Sequence, residues 1–120
     1  MKRTIYIIGV ALLLLTASCG RQQQAKSIVK DFMEQNLTDA SQLEYVSFSG
    51  IDSTRTISDS LLMALRKQAP QHFRSSIQYQ QRHSPTLIHT RVRYLMGGDT
   101  MSATFYMDPQ LTGVIAFKEN

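Results

Sequence analysis

Ile88–Phe117 reads IHTRVRYLMGGDTMSATFYMDPQLTGVIAF, and its period decides the fold. Ile88, Val92, Tyr94 and Met96 take alternate positions in one run, and Met101, Ala103, Phe105 and Met107 do so in the next. Alternation with period two marks a strand with one face buried, because successive side chains leave opposite sides of the pleat. His89, Arg91 and Arg93 then share the other face of the first run, and Ser102, Thr104 and Tyr106 that of the second. Gly97-Gly98-Asp99 between them is a hairpin signal. Asp108-Pro109-Gln110 marks a second turn, and Leu111–Phe117 supplies a closing strand. Upstream, Ile77 and Tyr79 alternate with Ser76, Gln78 and Gln80 ahead of a Ser84-Pro85 turn. These runs predict a four-strand antiparallel meander.

Before the meander the period changes to that of a helix. Ala25, Ile28, Val29, Phe32 and Met33 recur at the i, i+3, i+4, i+7, i+8 spacing of an amphipathic helix ending near Asn36. Leu43–Ser49 is rich in β formers and reads as a first strand. Gly50–Thr54 reads as loop. Ser58 is a helix N-cap followed by Asp59, and Leu61, Leu62, Leu65 and Ala69 make a second apolar stripe that Pro70 ends. The order is helix, strand, helix, four-strand meander. It predicts an α+β domain in which two helices pack on the apolar face of one curved antiparallel sheet. The pattern resembles the cystatin-like and nuclear-transport-factor-2-like folds, which wrap a sheet around a helix. Leu37, Asp39 and Ser41, followed by Tyr45 in a strand, also resemble the opening of small secreted bacterial domains of unknown function, where a Pro commonly stands in the place of Ala40. That likeness implies a fold and no shared activity.

The chain opens MKRTIYIIGVALLLLTASCG. Lys2 and Arg3 precede an apolar run, Ile5–Leu15, whose length suits a signal-peptide core and falls short of the roughly 20 residues of a spanning helix. Leu15-Thr16-Ala17-Ser18-Cys19 resembles the lipobox of bacterial lipoproteins, with Thr16 where Leu is commonest. The resemblance implies cleavage before Cys19 and lipidation of its thiol, which is the only cysteine in the chain. Residues 1–18 are then a removed signal peptide, 19–24 the lipidated residue with a short polar tether, and 25–120 a single domain. No acidic run follows Cys19, which leans toward the periplasmic face of the outer membrane. A plain secreted protein and an uncleaved anchor are the alternatives.

Charge excludes one class of partner. Loss of Lys2 and Arg3 reduces the 13 basic residues to 11 against 9 acidic ones, leaving a net charge of +2. That is too mild for nucleic-acid binding. His72, His83 and His89 show no local metal spacing, although the Ser84-Pro85 turn would bring His83 and His89 to neighbouring strands. No serine occupies a Gly-x-Ser-x-Gly elbow, and Gly97-Gly98 precedes no helix that would cradle a phosphate. Neither a catalytic centre, a metal site nor a cofactor is expected.

Two groups remain. Arg91 and Arg93 share a strand face, and Arg82 on the preceding run is expected beside them, a cluster suited to anionic groups. Tyr94, Met96, Met101, Phe105 and Met107 either fill the core or line a pocket. The sequence thus reads as a lipid-anchored envelope protein that binds an envelope protein or glycan. A carrier of a small apolar ligand is the second reading and a hydrolase the third. The lipobox gives the first test: Cys19→Ala is expected to abolish acyl labelling and release the chain from the membrane fraction. Unchanged labelling would contradict it.

Overall fold

The computed structural model describes residues 20–68 and 70–120. The leader and Cys19 lie outside the described residues, so the signal-peptide and lipidation readings stand on sequence. The described chain is α+β. Helix α1 covers 20–36, a 3-10 turn covers Ala40–Gln42, and β1 (Leu43–Phe48) and β2 (Asp52–Thr54) follow. Helix α2 (Asp59–Lys67) precedes β3 (Leu87–Met96), β4 (Asp99–Met107) and β5 (Val114–Glu119). No helix among the described residues is long and apolar enough to cross a membrane.

The strands form one open antiparallel sheet in the order β1-β3-β4-β5, with β2 also on β3. Gly97 and Gly98 turn the β3–β4 hairpin at φ 60° and 93°, the left-handed conformation that a two-residue hairpin requires. Register then sets Tyr94 against Met101, Val92 against Ala103 and Thr90 against Phe105. β1 and β2 are two halves of one edge strand: Tyr45 pairs with Tyr94 and Phe48 with Val92, then Asp52 with His89 and Thr54 with Leu87. Asp52-Ser53-Thr54 holds one β-favouring residue, Thr54, so pairing with β3 decides its conformation. The gap between the halves is closed by Ser49, whose N–H donates to the Arg91 carbonyl and whose Oγ accepts from the Arg91 N–H, both at 2.8 Å.

Helix α1 covers one face as its stripe predicts. Ala25, Val29, Phe32 and Met33 are buried in a core with Val92, Tyr94, Phe105 and Phe117. The Phe105 and Phe117 rings stack at 5.2 Å, and Phe32 meets both edge-on at 5.8 and 5.4 Å. The helix also includes residues 21–24, expected as a free tether. Three of the four side chains are docked: the Arg21 guanidinium donates to the Pro109 carbonyl, the Gln22 amide to that of Ser49 and the Gln24 amide to that of Leu111.

Helix α2 departs from the expectation that both stripes share one face. Leu62 and Leu65 pack on Leu87, Tyr106, Ile115 and Ala116, a second cluster. Those sheet residues alternate with Ile88, Phe105 and Phe117 of the first core, so α2 lies on the opposite face. A register shift in the β4–β5 pairing at Tyr106/Met107 lets the adjacent Ile115 and Ala116 both serve the second cluster.

The meander has three strands. The run around Ile77 and Tyr79 forms no ladder and touches β5 through one backbone bond, Gln80 N–H to the Val114 carbonyl at 2.9 Å. Arg66 of α2 explains the interruption. Its Nε donates to the Ile115 carbonyl and its Nη2 to that of Gln80, both at 2.9 Å, so the guanidinium takes carbonyls that a ladder would pair.

The β4–β5 turn is held by Asp108, which accepts from the Thr112 N–H and Oγ1 at 2.8 Å and from the Gly113 N–H at 3.1 Å. Burial opposes its charge, but these bonds outweigh burial and hold the carboxyl below its ordinary value of 3.8. The stabilisation this gives is complete above that ordinary value and is lost as pH falls through the lower folded value. The core itself is tested by Phe105→Ala. Phe105 is fully buried, so the substitution is expected to cost about 3–5 kcal/mol in urea unfolding. A loss below about 1 kcal/mol would contradict its place in the packed core.

Candidate binding face

Helix α2 covers one end of the second sheet face and leaves the rest open. His89, Arg91, Arg93 and Leu95 of β3 project there, since their neighbours Ile88, Val92, Tyr94 and Met96 are committed to the α1 core. Register extends the face into rows: Arg93 beside Ser102, Arg91 beside Thr104 and Lys118, His89 beside Tyr106 and Ala116. Ser49, His89, Arg91, Thr104, Tyr106 and Lys118 surround a depression of about 340 Å³. Thr104 is its buried floor, with Oγ1 donating to Asn120 Oδ1 at 3.2 Å. Tyr106 is its wall on the α2 side, with its ring centroid 6.2 Å from that of His89.

The face is cationic. Arg91 and Arg93 are exposed and two residues apart, about 6.6 Å along the strand. Lys118 stands two strands from Arg91, about 10 Å away at ordinary strand spacing. Among the described residues Arg91, Arg93 and Lys118 enter no ion pair. On this face the acids in register are Glu44 opposite Leu95 and Asp52 opposite His89, both on the β1–β2 edge, while Glu119 pairs with Ala103 on the α1 side. Guanidinium forks and an ammonium beside hydroxyl groups offer charge-assisted donors to carboxylate, sulfate or phosphate oxygens.

Arg82 is not part of this face. Its Nε donates to the Ser84 carbonyl and its Nη2 to that of Pro85, both at 2.7 Å. Its Nη1 bonds the Ile57 carbonyl and lies 3.4 Å from Asp59 Oδ1. The expected neighbourhood fails because residues 77–86 form no strand beside β3. Arg82 instead clamps the loop before α2 to the start of β3. It also borders a larger depression of about 460 Å³ with Arg55, Ser58 and His83, but its charge is already engaged there.

The residues that could fill the core or line a pocket are core. Tyr94, Met96, Phe105 and Met107 are buried and Met101 half-buried, all against α1. Burial, reinforced by the Glu119 carboxylate, pushes the Tyr94 hydroxyl up to about 12. The histidines separate: His89 lies on the open face, His83 in the exposed segment before β3, and His72 in a left-handed turn at φ 76°. Burial raises the Glu119 carboxyl, with His72 acting in the opposite sense. No cluster of three or more His, Cys, Asp or Glu side chains among the described residues is placed to hold a metal ion. Sequence reasoning missed Lys118, Thr104 and Tyr106 as site residues. The alternation of Phe117, Lys118 and Glu119 carried the signal for the first.

Comparison of the chain with protein-family models, with curated proteins and with solved structures returns no match. The two arginine environments separate by stability. Arg82→Ala is expected to cost about 1–3 kcal/mol through the loss of three carbonyl bonds, two of them part-buried, and Arg91→Ala to stay within about 0.5 kcal/mol. The reverse ranking in urea unfolding would contradict the placement.

Proposed function

We propose that this protein is a lipid-anchored envelope module that binds an acidic partner, protein or glycan, on the open face of its sheet. One observation carries the reading: Arg91, Arg93 and Lys118 lie together on that face and form no ion pair among the described residues. The address rests on Leu15–Cys19, with the outer membrane's periplasmic side as the site of attachment. The cystatin-like or nuclear-transport-factor-2-like assignment rests on α1 lying along one side of an antiparallel sheet. The carrier reading needed Tyr94 and Phe105 beside a cavity, and their packing against α1 favours the binding module over it. A hydrolase would need a nucleophile beside a base, and the dispersal of the histidines gives it no support.

Crosslinking with mass spectrometry in native envelopes tests the module. An acidic protein or glycan is expected to crosslink to the wild type and to be lost from the Arg91→Glu, Arg93→Glu double variant. Raising salt from about 0.1 M to about 1 M shortens the Debye length from about 10 Å to about 3 Å and is expected to weaken capture. A partner retained by the double variant, or absent from both strains, would contradict the assignment.

A further inference from the structure

The first turns of α1 carry a second consequence, which rests on the lipid-anchor reading of Cys19. Gly20 is already helical and Ala25 is buried. Between them, side chains fasten the helix to two loops. Arg21 donates to the Pro109 carbonyl at 3.2 Å and Gln24 Nε2 to the Leu111 carbonyl at 3.0 Å. Gln22 reaches the gap between β1 and β2, where Nε2 donates to the Ser49 carbonyl at 3.1 Å and Oε1 accepts from the Ile51 N–H at 3.0 Å. A free spacer over 19–24 would span about 20 Å and let the domain tumble. The docked glutamines and arginine remove that slack. At most about 7 Å of chain separates the Cys19 and Arg21 Cα atoms, and Arg21 itself touches the β4–β5 turn.

The surface around that turn suits polar headgroups. Arg21, Gln110 and Thr112 are exposed there. The end therefore offers the Arg21 guanidinium and the Gln110 amide to lipid phosphates. At the other end of the sheet, ten residues of β3 carry the Gly97–Gly98 hairpin about 33 Å away.

We propose that the β4–β5 turn rests on the phospholipid headgroup layer, so that the domain stands in one orientation with the β3–β4 hairpin pointing away from the membrane. The cationic face is then held sideways, open to partners beside the protein.

Fluorescence quenching on vesicles tests this. Lipidated full-length chain carrying a fluorophore at Gln110→Cys or at Asp99→Cys is reconstituted into phosphatidylcholine–phosphatidylglycerol vesicles doped with headgroup-nitroxide lipid. Acylation blocks the Cys19 thiol, so the introduced cysteine alone is labelled. The expected result is strong loss of fluorescence at residue 110 and none at 99. A flexible Gly-Ser insertion between Gly20 and Arg21 is expected to erase the difference. Equal quenching of the two sites in lipidated chain lacking the insertion would overturn the orientation and leave the anchor intact. A chain whose mass shows no diacylglyceryl group would overturn the anchor and the orientation with it.

Discussion

A short helix cannot cover a long strand, and that mismatch shapes this molecule. Helix α2 has nine residues and spans about 14 Å, whereas β3 has ten and runs about 33 Å. The sheet answers with two kinds of surface. Where α2 lies, Leu87, Tyr106, Ile115 and Ala116 make the second face apolar. Beyond its reach the same face carries Arg91, Arg93, Ser102 and Lys118. The opposite face is closed by the longer α1. The candidate binding surface is thus the part of a two-sided sheet that neither described helix reaches, and its polarity is the condition for leaving it open.

The α1 core was legible because its signals are local and periodic. Val29, Phe32 and Met33 at helical spacing, and Tyr94 and Phe105 at strand spacing, each name their buried side. The destination of α2 was not, although Leu62 and Leu65 marked its apolar face. The clue lay in Val114–Phe117, four apolar residues in a row, which fit a strand buried on both sides. Placing both helices on one apolar face removed the second face from view. The segment around Ile77 and Tyr79 alternates convincingly, yet Arg66 takes the carbonyls its ladder would use. A side chain arriving from another element leaves no trace in local periodicity.

The candidate site divides in the same way. Arg91 and Arg93 were placed together by alternation alone, which no tertiary contact could alter without slipping the register. Arg82 depended on the fate of its segment and became a clamp on the Ile57, Ser84 and Pro85 carbonyls. The glutamines after Cys19 looked like solvated spacer by composition. The amides of Gln22 and Gln24 instead satisfy loop carbonyls. The polar stretch 21–24 is therefore a fastening, and the proposed lipid would act directly on the folded body.

Residue-specific chemical modification with mass spectrometry tests most directly the claim that α2 closes one half of the second face and leaves a cationic half open. Arg91 and Arg93 are expected to react readily with an arginine-directed dicarbonyl and Lys118 with an acylating reagent. Arg66 and Arg82, held on carbonyls beside α2, are expected to be protected until the protein unfolds. Rapid modification of Arg66 and Arg82, or protection of Arg91 and Arg93 in the isolated protein, would contradict the account.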